Sequence, residues 1–197
     1  MIARELITND VPPIRSSETV EKALNWLDEF KVTHLAVVDG TQYQGLISEN
    51  ILYDAASSDM TIAELNVTLN RPFIYEDRHI YEVMKMVSDM HLSIAPILDK
   101  NDNYMGLTTL PSLMHLISNT SSISEPGSVI VLELNQNDYS LGHLAQIIEG
   151  DDTKILSTYI TSSTDSTLME VTIKVNRNNI QGVLQALARY DYVVNAS

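Results

Sequence analysis

Cysteine is absent from this chain of 197 residues, and its absence removes several kinds of chemistry at once. A chain without thiols has no disulfide, no thiolate metal site and no cysteine nucleophile. Long apolar runs are also missing, since no stretch approaches the roughly 20 residues that a membrane-spanning helix needs. The first twelve residues carry charges and lack the apolar core of a secretory signal. We therefore expect a cytoplasmic protein.

Basic residues are scarce. The chain has 12 Lys and Arg against 26 Asp and Glu, which gives a formal net charge of -14. Binding to nucleic acid requires clustered basic side chains that displace counterions, and an anionic membrane surface makes a similar demand. We expect neither partner. An acidic surface of this kind is typical of a soluble protein.

Motifs for catalysis and for cofactor binding are also missing. The seven glycines form no phosphate-binding loop and no nucleophile elbow. The five histidines show no spacing typical of metal ligands. A Ser-His-Asp site assembles in space and leaves no fixed pattern, but nothing in this chain favours one. We expect no enzyme, no cofactor and no metal site.

The chain does contain an internal repeat, in which residues 11–52 align with residues 71–113. Helix positions such as Val20 and Ile80 lie 60 residues apart, whereas Gly45 and Gly106 lie 61 apart because the second turn is one residue longer. Self-similarity at such a period indicates two copies of one supersecondary unit. Each copy has a large apolar face, so we expect the two copies to pack on each other.

Each copy predicts the element order β-α-β-β-α. A short proline-containing extended segment precedes an amphipathic helix whose predicted N-cap is Ser17 or Asp77. Strands follow at 35–38 and 94–98, and polar turns lead to second strands that end in Gly-Leu-Ile-Ser or Gly-Leu-Thr-Thr. Closing helices are predicted over residues 49–56 and 110–117.

The last part of the chain has a different pattern. Residues 119–127 are rich in Ser, Thr, Pro and Gly and predict a linker. Residues 128–197 predict the order β-α-β-β-α-β, which is typical of a ferredoxin-like sheet with both helices on one face. The open face would need cover, for which a second copy is the simplest source. The predicted fold class is α+β, with repeats at 1–58 and 59–118.

The doubled unit resembles the cystathionine-β-synthase (CBS) domain family, on its segments HLAVVD…GLIS and IAPILD…GLTT. This resemblance covers about residues 1–118, and the segment after the linker resembles ACT domains in its topology. The combination is similar to stand-alone bacterial proteins of the acetoin-utilisation accessory type. The resemblance implies a CBS pair, or Bateman module, that forms a homodimer and holds adenine nucleotides in its clefts. It also implies an amino acid site at the ACT-like interface.

In CBS repeats that bind nucleotides, a hydroxyl residue is followed three positions later by an Asp that accepts from the ribose. The hydroxyls are present here as Ser48 and Thr109, but Ile51 and Ser112 replace the Asp. Both hydroxyls begin a predicted helix, whose free N–H groups would then face a phosphate. The simpler alternative is that both are ordinary N-caps.

Three further residues are candidates for the CBS cleft. Asn50 is close enough in sequence to take the role of the missing Asp, although a register shift would be needed. His34 precedes the first strand of its repeat, at a position that faces the cleft in this fold, and Ser93 holds the neighbouring place in the second repeat. For His34, a half-buried structural histidine is the alternative.

Ligand-binding ACT domains usually carry a glycine in the first β-α loop, where the ligand meets the backbone. This chain has no glycine there, and the candidate residues for an amino group are Asn137, Asp138 and Ser140. Helix capping is the alternative role for all three.

Two functions fit these patterns. The first is a non-enzymatic regulatory module that binds a small metabolite and signals through the arrangement of its dimer, which requires different affinities for the two arrangements. The second is a degenerate structural or protein-interaction module that dimerises but has lost nucleotide binding, because Ile51 and Ser112 replace the carboxylates. The ligand and the protein partner are not identified by the sequence.

Overall fold

The computed structural model describes residues 1–150, 152–162 and 167–196. The chain divides into two compact units, Met1–Leu116 and Ile117–Ser197. After a 3-10 helix over Ala3–Leu6, the elements that begin in the first unit are α1 (Val20–Phe30), β1 (His34–Asp39), β2 (Gln42–Ser48), α2 (Glu49–Tyr53), β3 (Ile74–Tyr75), α3 (Ile80–Asp89), β4 (Ile94–Leu98), β5 (Tyr104–Thr109) and α4 (Leu110–Ser118).

The predicted order of elements is confirmed in both repeats, and their strands pair in matching register. Strands β1 and β2 form an antiparallel pair, as do β4 and β5, and each pair has an irregularity in register before its turn. Ile14 makes a parallel bridge to Val37, and Ile74 pairs in parallel with Ile97. Both residues of the second pair lie 60 positions after those of the first, so each repeat has the expected order β-α-β-β-α.

The segments that lead into the repeats are exchanged between the two sheets. The backbone N–H of Thr8, in the segment that leads into the first repeat's helix and strands, donates to the carbonyl of Leu107 in β5 at 2.9 Å. Conversely, the N–H of Leu46 in β2 donates at 2.8 Å to the carbonyl of Asn70, in the corresponding segment of the second repeat. Each lead-in segment therefore extends the sheet of the other repeat, and backbone hydrogen bonds hold the repeats together.

One hydrophobic core spans both repeats. Helix α1 buries Val20, Ala23 and Leu27, because apolar residues spaced three and four apart share one helical face. These side chains belong to the same buried cluster as Ile94 of β4 and Leu107 of β5. The two repeats therefore fold as one unit around a shared core.

The predicted N-caps Ser17 and Asp77 are wrong by two residues. The caps are Thr19, whose side chain accepts from the amide three residues later at 3.2 Å, and His79, whose Nδ1 accepts from the amide two residues later at 3.3 Å. A hydrogen-bonded turn of four residues holds Ser17, and its equivalent in the second repeat holds Asp77. The helix can begin only after this turn is complete.

The second unit has the ferredoxin-like topology predicted for an ACT-like domain. Its sheet has the order β7-β8-β6-β9 with antiparallel neighbours throughout. A short helix, α5, lies within the predicted linker. The elements that begin in this unit are α5 (Ser121–Ser124), β6 (Val129–Asn135), α6 (Leu141–Glu149), β7 (Ile155–Ser162), β8 (Leu168–Val175), α7 (Gln181–Arg189) and β9 (Val193–Ala196).

The second unit has its own core between the sheet and its two long helices. Ile130 and Leu132 of β6 and Val171 of β8 pack in one cluster with Leu144 of α6 and Val183 of α7. Alternate residues of β6 and β8 therefore face the helices, as the period of two predicts.

Helix α1, with 11 residues, is the longest helix that the structure describes. No helix within residues 1–150, 152–162 and 167–196 combines the length and the apolar character that crossing a membrane requires.

Gly45 lies where an exchanged lead-in segment meets β2. Its φ is +147°, and a Cβ atom at this position would lie 2.7 Å from the backbone oxygen of Asn70. That oxygen is held in place because it accepts from the N–H of Leu46. We predict that Gly45→Ala lowers the free energy of unfolding by roughly 2–4 kcal/mol, measured by urea denaturation.

Gly40→Ala is the matched control. Gly40 also has a positive φ, +65°, but a Cβ atom there would meet nothing within 4 Å. Its substitution should cost only the backbone strain of about 1 kcal/mol. Equal losses for the two variants would show that the close approach at Gly45 contributes nothing.

Candidate functional site

Ser93 lies where the two repeats meet. Its Oγ accepts hydrogen bonds from the backbone N–H of Thr33 at 3.0 Å and from that of His34 at 3.1 Å. One hydroxyl of the second repeat thus satisfies two backbone donors at the start of β1 in the first. The candidates His34 and Ser93 are therefore brought together by the fold.

The surroundings of His34 favour its neutral imidazole. Its Nδ1 lies 3.3 Å from Ser93 Oγ and 3.0 Å from Thr33 Oγ1. Ser93 Oγ already accepts two N–H groups, so its own proton is directed at Nδ1, which must offer a lone pair. Burial lowers the pKa of His34, and the nearby Glu49 carboxylate opposes this effect. The ring therefore serves as an acceptor between the repeats.

A chain of hydroxyl groups connects the start of α4 to the N-terminal segment. Thr109 Oγ1 accepts from the N–H of Ser112 at 3.2 Å and donates to Ser112 Oγ at 2.9 Å. Ser112 Oγ in turn donates to the carboxylate of Asp10 at 3.2 Å. The structure thus brings Thr109 and Ser112 together, and Asp10, which the sequence reasoning missed, completes the chain.

The expectation of free N–H groups at the start of α4 is wrong. The N–H of Leu110 donates to the carbonyl of Ser93 at 3.1 Å, and the N–H of Ser112 donates to Thr109 Oγ1. Between them Pro111 has no N–H at all. The first three residues of this helix therefore offer no backbone donor to a phosphate.

At the equivalent place, the first repeat has fewer polar contacts than the second. Ser48 is the N-cap of α2 but makes no hydrogen bond to the helix, and it lies opposite His34 in the register of β1 and β2. Asn50 is exposed on the helix. Ile51 is partly buried and packs against the hydrophobic core.

A cavity of about 410 Å³ lies beside the second repeat. We call it the repeat-2 cavity. Of the predicted site residues, only Ser112 lines it. The lining residues are Glu5, Leu6, Ile7, Thr8, Thr108, Pro111, Ser112, His115 and Leu116.

Two side-chain hydroxyls at the repeat-2 cavity are buried and have no partner. They are Oγ1 of Thr8 and Oγ1 of Thr108, and Thr108 is 1% exposed. Leaving a hydroxyl buried and unpaired costs about 1–3 kcal/mol, and the large majority of buried polar groups in native proteins are paired.

The sequence carried a signal for Thr108 that motif matching passed over. In the repeat alignment, Thr108 corresponds to Ile47, 61 positions earlier, which is fully buried. A polar residue at a position that is apolar and buried in the other copy is unusual. Thr8 gave no such signal, because it reaches the cavity only through the exchange of lead-in segments.

The three loop candidates of the second unit have different contacts in the structure. Ser140 caps α6, with its Oγ accepting from the N–H of His143 at 3.3 Å, and the backbone N–H of Asn137 donates to Asn135 Oδ1 at 3.3 Å. Asp138 lines a cavity of about 440 Å³ together with Tyr192. Burial, with a smaller effect of the Asp138 carboxylate, raises the pKa of Tyr192.

Metal binding has no candidate site in the part of the chain that the structure describes. No group of three or more His, Asp or Glu side chains is placed there to hold an ion.

The fold of the first unit agrees with the family model that part of the sequence matches. Residues 3–58 match the family model described as the CBS domain. The first unit has the fold of a CBS domain pair.

Solved structures share this fold at low sequence identity. A CBS domain pair/ACT domain protein from Thermotoga maritima is 19% identical, with a TM-score of 0.53 over 59% of this chain and 96% of that chain. The CBS domains of a transcriptional regulator from Streptococcus pneumoniae are 16% identical, with a TM-score of 0.50 over 58% and 98%. CBSX2, solved in complex with AMP, is 17% identical, with a TM-score of 0.50 over 59% and 95%.

One curated relative is an enzyme, the homoserine O-acetyltransferase of Methanobrevibacter ruminantium. It is 25% identical over 118 residues, which are 59% of this chain and 24% of the relative. This chain therefore spans about a quarter of that relative's length, too small a share to assign its activity.

We predict that Ser93→Ala lowers the free energy of unfolding by about 1 kcal/mol, because the N–H groups of Thr33 and His34 lose their acceptor. Ser88→Ala, on the exposed side of α3, is the matched control and should be close to neutral. Urea denaturation of both variants measures the difference. A loss no larger at Ser93 than at Ser88 would show that the contact between the repeats adds no stability.

The neutral His34 predicts a pH dependence of stability. Burial lowers the pKa of His34 in the folded state below its ordinary value of about 6.5, so the unfolded chain binds this proton more readily. The stability that His34 contributes is present above pH ~6.5 and is lost as pH falls from there toward the lowered pKa. Urea denaturation between about pH 5 and pH 8 should show a shallower loss for His34→Gln.

His91→Asn is the control for this measurement, because His91 is exposed just after α3. Its pH profile should follow that of the unchanged protein. If the profile of His34→Gln also runs parallel to the unchanged protein, the proton linkage does not arise at His34.

Proposed function

We propose that this chain is a regulatory module that binds one small metabolite of the adenosine class in the repeat-2 cavity. The observation that carries this proposal is the pair of unpartnered buried hydroxyls of Thr8 and Thr108 at the cavity wall. The volume of about 410 Å³ lies within the range of about 300–1,000 Å³ that small-molecule sites occupy. The AMP-bound structure of CBSX2, which shares the fold, supports an adenine ligand.

We assign one such site to each chain. The positions in the first repeat that correspond to Thr108 and Ser112 hold Ile47 and Ile51. Ile47 is fully buried and Ile51 packs against the core, so neither presents a polar group to a ligand. At these two positions, only the second repeat has hydroxyls that a sugar or a base could bond.

The position of the cavity supports a regulatory role. Its wall combines the N-terminal lead-in segment with β5 and α4 of the second repeat. A ligand that bonds both walls favours the arrangement in which Thr8 is docked on Leu107, and an equilibrium shifts only through such differential binding. We expect a protein partner to read this shift, in the cytoplasm and without catalysis by this chain.

We further propose a homodimer, formed through the open face of the second unit's sheet. Val129 and Val193 are about half exposed, 43% and 56%, and Tyr159 is 61% exposed. Tyr159 pairs with Thr172, which lies between the buried Val171 and Ile173 and so faces away from the helices. A second copy of this sheet is the simplest cover for these side chains.

An amino acid or other amine is a second candidate ligand, for the cavity of the second unit. Glu133, Asp138 and Asp191 line it beside Tyr190 and Tyr192, and its lining residues include no Lys or Arg. Carboxylates and aromatic faces both attract an ammonium group. The lining provides no cation to pair with a ligand carboxylate, so the amino group is the part that this site would recognise.

The test of the adenosine site uses Thr108→Val, which removes the unpaired hydroxyl at nearly constant volume. Without ligand, the variant should be as stable as the unchanged protein or more stable by about 1 kcal/mol, because no hydrogen bond is lost. Its affinity for adenosine or AMP should fall about five- to tenfold, the value of one hydrogen bond. Urea denaturation and isothermal titration calorimetry measure the two effects.

Thr158→Val is the matched control. Thr158 Oγ1 is the third buried hydroxyl without a partner in the part of the chain that the structure describes, and it lies on β7 in the second unit. Its substitution should change stability in the same direction and leave the affinity unchanged. If neither adenosine nor AMP binds the unchanged protein, the degenerate interaction module is the better description.

A further inference from the structure

We propose that the repeat-2 cavity takes its ligand as a nucleoside without a phosphate and rejects nucleotides by charge. This inference rests on the proposed function, since it specifies the ligand of the same site. It follows from three observations on the cavity wall: the sign of its charge, the occupied start of α4, and the pairing of the adjacent arginine.

The lining of the cavity has no permanently charged cation. Its nine lining residues include no Lys or Arg, Glu5 contributes a carboxylate, and His115, the one imidazole, already takes part in another interaction. Phosphate sites in proteins rely on basic side chains or on free backbone N–H groups. A phosphate here would meet a like charge, in a chain whose formal net charge is already -14.

The start of α4, which would be the alternative anchor for a phosphate, has no donor to give. The N–H of Leu110 is bonded to the carbonyl of Ser93, the N–H of Ser112 is bonded to Thr109, and Pro111 has none. The hydroxyl of Ser112 also donates to Asp10. A phosphate could be bound here only by breaking contacts that hold the fold together.

The cation adjacent to the wall in sequence is already paired. Arg4 precedes Glu5, and its guanidinium forms an ion pair with Glu76, with Nε 2.7 Å from the Glu76 carboxylate. Turning Arg4 toward the cavity would leave Glu76, whose side chain is 15% exposed, without its partner. Arg4 is therefore not available as a counter-charge for a phosphate, and the N-terminal ammonium of Met1 lies 3.9 Å from the Glu5 carboxylate, which it already partners.

The groups that remain suit a nucleoside. Leu6, Ile7 and Leu116 provide apolar surface for a base. Thr8 and Thr108 lie at the wall with unpaired hydroxyls, whose oxygens a small shift of the wall would have to uncover before a ligand could bond them. Glu5 accepts the N–H of Ile2 through Oε2 at 3.0 Å, which leaves Oε1 as an acceptor for ribose hydroxyls. Glu5 would thereby take the role of the Asp that is missing at Ser112.

The experiment compares adenosine, AMP and ATP on the full chain by isothermal titration calorimetry. We expect AMP to bind about tenfold more weakly than adenosine and ATP more weakly still, because each phosphate adds negative charge near Glu5. In Glu5→Gln, the ratio of the AMP and adenosine dissociation constants should fall severalfold. Adenosine itself should bind with similar or slightly lower affinity, since the amide oxygen remains an acceptor.

Glu21→Gln is the matched control, because it removes one negative charge from an exposed position on α1 of the same unit. It should leave the AMP-to-adenosine ratio unchanged. An equal fall of the ratio in both variants would overturn the role of Glu5 and point to the net charge of the whole chain.

The outcomes separate this inference from the function on which it rests. If AMP or ATP binds more tightly than adenosine, the selection against phosphate is wrong, while the proposed adenosine site stands. If none of the three compounds binds, the proposed function fails and the inference fails with it.

Discussion

The exchange of lead-in segments between the two repeats is the interaction on which the rest of the first unit depends. Each sheet would otherwise leave backbone groups of an edge strand unpaired. The bonds from Thr8 to Leu107 and from Leu46 to Asn70 close these edges and draw both repeats onto one core. The same exchange carries the N-terminal segment to the end of β5, so the repeat-2 cavity exists only in the assembled pair.

The two repeats have the same backbone fold but differ in the chemistry of their side chains. At the equivalent buried position the first repeat has Ile47, which contributes to the core, whereas the second has Thr108, whose hydroxyl is left without a partner. Replacing an apolar side chain by an unpaired hydroxyl reduces stability. Departures from such packing rules are expected where a protein has a functional site, and here they coincide with a cavity of suitable size.

Ser93 connects this cavity to the contact between the repeats. Its hydroxyl holds the backbone of Thr33 and His34, and its carbonyl accepts the first N–H of α4. Pro111 and Ser112, which follow that N–H, line the cavity. These contacts form a continuous physical connection between the cavity and the interface of the two repeats. They also explain why no N–H group at the start of α4 is available to a phosphate.

The sequence by itself determined the repeat, the order of elements in both units and the α+β class, because the period of apolar residues is a local property that each segment carries. It also located the hydroxyl pair at the start of α4. Only the tertiary structure decided which groups line the repeat-2 cavity. Thr8 and Thr108 are far apart in the chain, and they meet because the lead-in segments are exchanged. Motif reasoning expected free N–H groups behind Thr109, but the carbonyl of Ser93 takes the first of them, and no local pattern encodes a contact between residues so far apart.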